Sequence, residues 1–485
     1  MTGRGSTTRP FGAAFGMLAS VFAPLVAASP AGAATASAVS PYVKVQPGTR
    51  PAAFSPNLVA PKGGAAMFQI VLRGVAAAPR SAVAVGGVPA AWVDVKAERW
   101  IRVRRHSAAV PHGQVGLVPD PLVPVSRARP AAGMVVLRIR IRVPRTAPAG
   151  RRGGAIRVAV GGRTLSVPFR LRVSGVRLPA RAFDTWLLIW GSWAQRAEGR
   201  DSAPQRIRSL LTSLRLGDST GASGGAVNVF SATDTARRNP GAAAKLAHRR
   251  AVSLWRRSPG RAAYSYVFDE PRSSGDARAV ARYGQALARS APRVRQFVTS
   301  APRRGLDAGR GAIYAMHLQD LTAARVNRAR AGGGAAWAYS SCCERGGDAS
   351  LLLDQRATGN LAVAPATWMQ GGKGLFYWGV TVYEHDPWRQ AEQPLDGSRV
   401  SNGDGVLVYP GRSQGLTGPV SSLRLELTAA GVQIVDLAAM LAHRGRAAEA
   451  RRILRPVLPG TARFNASASA WLTVEQRLIA ALERP

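Results

Sequence analysis

From residue 183 onward the sequence alternates short apolar runs with stretches of helical periodicity. No other feature restricts the fold as much. Candidate strands lie at 185–190, 227–230, 264–268, 296–299, 312–316, 335–339 and 375–379. Between them, 205–216 places Ile207, Leu210, Leu211 and Leu214 at helical spacing, and 242–255 and 276–290 read as further helices. Units of about 30 residues recurring over about 250 residues predict a (β/α)8-like barrel. Seven strands are evident where a closed barrel needs eight. Either one is hidden within 231–263 or the barrel is irregular.

The region before the barrel has a different period. Met67-Phe68-Gln69-Ile70-Val71-Leu72-Arg73 and Val135-Val136-Leu137-Arg138-Ile139-Arg140-Ile141-Arg142-Val143 alternate from residue to residue, and 155–160 and 164–173 flank Gly161-Gly162 as a hairpin. This predicts a multidomain β plus α/β chain: a β-sandwich over 39–180, a (β/α) barrel over 181–420 and a C-terminal helical segment over 421–485 packed on the barrel's outer wall. The arginines alternating with apolar residues suit the solvent face of edge strands.

Residues 1–38 have the pattern of a signal peptide. Arg4 and Arg9 precede an apolar stretch at 11–28, and Ala31-Gly32-Ala33 or Ala36-Ser37-Ala38 offers a small-residue cleavage site. The expected location is secreted or cell-surface, with no membrane insertion after cleavage and no later stretch long and apolar enough to span a bilayer. The two cysteines, Cys342 and Cys343, are adjacent; export favours a vicinal disulfide over two free thiols. The formal charge of +40 on 485 residues suggests an acidic partner. However, lysine occurs only at 44, 62, 96, 245 and 373, and arginine is spread along the whole chain without basic blocks or interleaved aromatics. Nucleic-acid binding is therefore not expected.

The run Tyr264-Ser265-Tyr266-Val267-Phe268-Asp269-Glu270-Pro271 is a buried-strand composition ending in two carboxylates and a strand-stopping proline. Active sites of such barrels lie at the C-terminal ends of the strands. There Asp269 and Glu270 suit acid–base work on a glycosidic bond, one giving a proton and the other orienting or stabilising charge. Trp190, Asn228, His317, Trp337, Tyr339, Tyr377 and Trp378 fall at the same end and would supply aromatic platforms and polar contacts for a sugar ring. An arginine ion pair at either carboxylate, or burial against the barrel wall, would weaken this reading. No metal spacing, P-loop, dinucleotide fingerprint or nucleophile elbow is present, so neither metal nor cofactor is expected.

Taken in order, several motifs resemble glycoside hydrolase family 123 and its bacterial relatives. They are Pro119-Asp120-Pro121-Leu122-Val123-Pro124, Tyr266-Val267-Phe268-Asp269-Glu270-Pro271, Trp337-Ala338-Tyr339 with Cys342-Cys343, Gly374-Leu375-Phe376-Tyr377-Trp378-Gly379, Gly403-Asp404-Gly405 through Tyr409-Pro410-Gly411, and Ser422-Leu423-Arg424-Leu425-Glu426. The resemblance implies a retaining, substrate-assisted β-N-acetylgalactosaminidase: Glu270 the general acid/base, Asp269 holding the 2-acetamido group, and Trp337, Tyr339 and Trp378 walling the sugar. The chain differs where relatives often carry Arg-Asp-Gly, having Ala429-Ala430-Gly431. A non-catalytic glycan- or wall-binding protein on the same fold is the other reading.

Overall fold

Among the described residues, nine strands precede residue 178: β1 (Thr35–Val39), β2 (Asn57–Lys62), β3 (Ala65–Arg73), β4 (Ser81–Gly86), β5 (Val93–Val103), β6 (Gly116–Pro124), β7 (Met134–Arg142), β8 (Gly150–Val160) and β9 (Arg163–Arg177). They form two sheets, ordered β1-β3-β7-β5-β6 and β2-β9-β8-β4, antiparallel except for the β2/β9 pair. Alternation sends Phe68, Ile139 and Ile141 of the first sheet and Ile156, Phe169 and Leu171 of the second into one shared core. Phe68 and Phe169 meet across it with ring centroids 5.8 Å apart. The computed structural model describes residues 34–484 apart from 181, 219, 221–226 and 394–398. Of the signal peptide expected over 1–38, residues 1–33 thus lie outside the described residues. The second cleavage option, Ala36-Ser37-Ala38, falls within β1, which pairs along β3.

The arginines of β7 need correction. They were expected on the open face of an edge strand, but β7 is the middle strand of five. Arg138 is buried on the face opposite the shared core, and its guanidinium pairs with Glu426 at 3.0 Å. An internal strand of a covered sheet has no solvent face, so an alternating charge there must find a partner in the structure that covers it.

The second region is a curled, all-parallel sheet of seven strands: β10 (Asp184–Leu187), β11 (Val227–Phe230), β12 (Ala263–Phe268), β13 (Val294–Val298), β14 (Ile313–His317), β15 (Ala335–Ser340) and β16 (Gly374–Tyr377). Their order is β10-β16-β15-β14-β13-β12-β11. The first strand thus returns to the last, and the seam stays open between β10 and β11 among the described residues. Among the described residues the strands form a curled half-barrel rather than a closed (β/α)8 barrel. Residues 231–263 hold the helices Thr233–Arg238 and Pro240–Arg257 in place of an eighth strand. Aromatic rings fill the interior: Trp186 stacks on Phe297 at 4.6 Å, and Trp337 meets both edge-on at 5.9 and 5.6 Å. Each such pair contributes about 0.5–1.5 kcal/mol beyond simple area burial.

The C-terminal helices are Leu423–His443, Ala447–Leu454 and Ala468–Glu483. The first is a wedge rather than an external cover. It packs into the same core as the curled sheet. It also binds the first sheet, through Arg424 on Asp120 at 2.8 Å and a two-way amide pairing of Gln433 with the backbone of Ala65, both bonds 2.8 Å. By length and composition this helix could cross a membrane, contrary to the sequence expectation; 83% of its most apolar window is buried within the fold. Its apolarity is that of a core helix coated on all sides.

Candidate active site

The β12 strand places Tyr264 and Tyr266 toward the interior of the curl. Its pairing with β13 then shifts register between Tyr266 and Phe268. A bulge of this kind re-aims the residues that follow it. Asp269 is exposed, and Glu270 adopts φ +41°, a left-handed conformation that non-glycine residues seldom take. Strict alternation would have sent the two side chains to opposite faces. Instead the carboxylates share a set of supports. Asp269 Oδ1 accepts from the Tyr266 hydroxyl at 2.8 Å and from the Thr299 hydroxyl at 2.7 Å. Thr299 Oγ1 in turn accepts the Glu270 backbone N–H at 2.7 Å. The Tyr339 hydroxyl donates to Glu270 Oε1 at 3.4 Å.

The two phenols are linked through Phe376, whose ring lies 5.5 Å from that of Tyr266 and 5.3 Å from that of Tyr339. Both tyrosines are thus held at the top of the aromatic filling by ring packing, and each presents its hydroxyl to one carboxylate. Burial raises both phenol pKa values, and the Asp269 charge raises them further, so both remain proton donors. Glu270 Oε2 also forms an ion pair with Arg272 Nη2. This is the kind of pair that would weaken the catalytic reading. Here it is peripheral: the Arg272 side chain is 84% exposed and that of Glu270 36%, so solvent competes for both groups.

The other candidates divide by depth along the strands. His317 stacks on Tyr339 with centroids 5.1 Å apart and a 19° interplanar angle. Burial lowers its pKa, opposed by the charges of Asp320 and Glu270, so a neutral imidazole is favoured. Its Nδ1 is buried without a hydrogen-bond partner among the described residues. Trp190 is 43% exposed, donates its ring N–H to the Trp378 carbonyl at 2.7 Å and meets that ring edge-on. Trp337 does not wall the opening. It is 1% exposed, one inward position below Tyr339 on the same strand, and belongs to the interior filling. Tyr377 is likewise buried. Asn228 serves the backbone: its Oδ1 accepts the N–H groups of Phe230 and Tyr266 at 3.3 and 3.2 Å, spanning the irregular β11–β12 pairing. Cys342 and Cys343 form the vicinal disulfide in the loop after β15.

Sequence reasoning quoted Asp404 within a motif but did not count it as a site residue. Its Oδ1 accepts from Trp378 Nε1 at 3.0 Å, from the Tyr377 hydroxyl at 3.1 Å and from the Gly405 N–H at 3.1 Å. Burial pushes its pKa up to about 6 against these hydrogen bonds. The glycines around it are required. Gly403 and Gly405 have φ +68° and +75°, and a Cβ on either would lie 2.8 Å from the Arg424 guanidinium or the Trp378 ring. The charges of Asp269, Glu270 and Asp404 all add to the effect of burial in raising the pKa of the Tyr339 phenol.

Residues 295–441 match the family model of the glycoside hydrolase 123 catalytic domain. Over that span the chain is similar to a glycoside hydrolase family 123 catalytic domain. Among solved structures, a family 123 glycoside hydrolase from Clostridium perfringens, described as hydrolysing glycolipid glycans, aligns at a TM-score of 0.68. The alignment covers 93% of this chain and 99% of that one at 11% identity, and so speaks to the fold. Two Bacteroides fragilis structures described as candidate alpha-galactosidases align with TM-scores of 0.19, at 9% and 11% identity over 89% and 88% of this chain and 78% of each of theirs. No curated protein matches. The family 123 match begins in β13 and contains Thr299, His317, Tyr339, Trp378 and Asp404. Asp269 and Glu270 precede it on the adjacent strand.

Proposed function

We propose that this family 123 glycoside hydrolase cleaves a β-linked 2-acetamido sugar of the N-acetylgalactosaminide type, with retention and with the substrate's own acetamide as nucleophile. The observation that carries the reading is the Asp269–Glu270 pair, two neighbouring carboxylates on one open surface, each seated on a tyrosine hydroxyl. A substrate that brings its own nucleophile needs from the protein one group to move a proton and one to orient the amide. Glu270, next to solvent, protonates the leaving oxygen as the acetamide carbonyl oxygen attacks C1; it then takes a proton from the water that opens the cyclic intermediate. Asp269 accepts the acetamide N–H and stabilises the charge that develops there. Trp378, held by Asp404, and Trp190 offer ring faces to the sugar.

The glycan of a glycolipid is the substrate class suggested by the Clostridium perfringens relative. Export is proposed with cleavage after Ala33, which leaves β1 intact, and the disulfide suits an oxidising compartment. The test uses aryl β-N-acetylgalactosaminide and β-N-acetylglucosaminide substrates with wild type and Glu270→Gln. Turnover of the first, lost in the variant, is expected. Silence across a broad aryl-glycoside panel, with glycan binding retained, would favour the non-catalytic reading.

A further inference from the structure

The alternating arginines of β7 all lie on the face turned away from the sandwiched core, yet they do not share one environment. Arg138 is satisfied by Glu426 at 3.0 Å and by the Pro41 carbonyl at 2.6 Å. Arg140, one alternation further, is 8% exposed and has neither hydrogen bond nor ion pair among the described residues. In a chain with a net charge of +40, an exposed arginine says little. An arginine that is 8% exposed as a whole, with idle donors turned to a cavity, says more, because it keeps its charge and five N–H groups wherever it is placed.

Arg140 lines two adjoining cavities of about 270 and 380 Å³, between the first sheet, the helix Ala203–Ser213 and the helix Leu423–His443. Arg142 lines both cavities, and Lys96 and Arg206 line the larger. Two acids line the same space, Asp94, paired with Lys96 at 3.4 Å, and Glu426, paired with Arg138 at 3.0 Å; their charges act on Arg140, but neither forms an ion pair with it. Ala429 and Ala430 border the smaller cavity with methyl groups, leaving its volume free. None of these lining residues belongs to the Asp269–Glu270 site.

We propose that this junction is an oxyanion-binding site centred on Arg140, taking a sulfate, phosphate or carboxylate group, either free or carried as a substituent on a glycan. A planar guanidinium fork matches two oxygens of such a group, and Arg142 and Arg206 supply additional charge at the cavity rim. Burial around Arg140 strengthens the interaction by excluding competing water. The site stands apart from the sugar chemistry and does not depend on which glycoside is cleaved.

Isothermal titration with inorganic sulfate at constant ionic strength tests it. Wild type and Glu270→Gln should bind sulfate saturably at one site with equal affinity. Arg140→Met should weaken binding at least tenfold. Ala429→Glu, which keeps Arg140 and puts a carboxylate of the chain itself in the cavity, should weaken it similarly, and it carries the test if Arg140→Met does not fold. Titration with N-acetylgalactosamine 4-sulfate, against the unsulfated sugar as control, separates the sources: tighter binding than sulfate indicates a glycan substituent, equal binding a free anion. Absence of saturable binding to wild type, or binding unchanged in both cavity variants, would overturn the proposal.

Discussion

The backbone N–H of Glu270 donates to the hydroxyl of Thr299 at 2.7 Å, a bond that crosses from the end of β12 to the end of β13. The same hydroxyl donates to Asp269, so one side chain sets the relative position of both carboxylates. A left-handed glutamate costs roughly 1–3 kcal/mol and persists only where its surroundings hold it. Thr299→Val keeps the shape and removes the hydroxyl. We expect kcat to fall by about 10- to 100-fold with a smaller change in KM, and stability to fall by about 1 kcal/mol in urea denaturation. Thr299→Ser should restore most of the rate. Equal damage from Val and Ser would mean that the methyl packing, not the hydroxyl, matters.

Arg272 lies across Glu270 Oε2 but is largely in solvent. A pair so placed is screened by salt and contributes little to folding. Arg272→Ala is expected to leave the thermal midpoint unchanged and turnover in place, while reducing the salt dependence of kcat/KM. If activity instead disappears as fully as in Glu270→Gln, Arg272 is part of the catalytic machinery and the outer position assigned to it here is wrong.

The seven strands of the curled sheet were legible because a parallel strand covered on both faces is an uninterrupted apolar run. The carboxylate pair was legible because it ends such a run. Depth was not. Trp337 and Tyr339 point the same way, two residues apart, and only the curl of the sheet decides that one is filling and the other reaches Glu270. Asp404 was hidden for another reason: it comes from a loop far along the chain, and its link to Trp378 is tertiary. The arginines of β7 were misread because alternation reports that a strand has two faces, and not what covers the second.

Arg424 and Asp120 are both fully buried, their side chains 2.8 Å apart, and Asp120 also accepts from the Tyr409 hydroxyl at 2.8 Å. Arg424 further donates to the carbonyls of Leu351, Gly403 and Val406, tying the Asp404 loop to the wedge helix. Removing one partner strands the other charge away from water. Arg424→Met should cost about 3–5 kcal/mol, measured by chemical denaturation, and should loosen the Trp378 side of the site so that KM rises in whatever protein still folds. Arg424→Met combined with Asp120→Asn should cost less than Arg424→Met alone. A double variant as unstable as the single would show that the carbonyl contacts, rather than the charge pair, dominate.

Glu98 on β5 is buried with both carboxylate oxygens lacking hydrogen-bond partners among the described residues. Burial pushes its pKa up to about 8; the charges of Arg138 and Lys44 pull it down, and those of Glu426 and Asp120 push it further up. The folded state therefore holds this proton more tightly than the unfolded chain, whose glutamates titrate near about 4.3. The resulting stabilisation is full below that value and is lost as pH rises toward about 8. Neighbouring Lys44 is moved the other way, by burial, to about 7, so the wild-type curve mixes both groups. The difference between Glu98→Gln and wild type isolates Glu98. It should be small at pH 4, grow in favour of the variant between about pH 4 and 8, and level off above that, reaching the order of a few kcal/mol. Urea denaturation at pH 4, 6, 8 and 9 measures it. A difference that stays flat across the series would mean that Glu98 ionises in the folded protein as it does in the unfolded one.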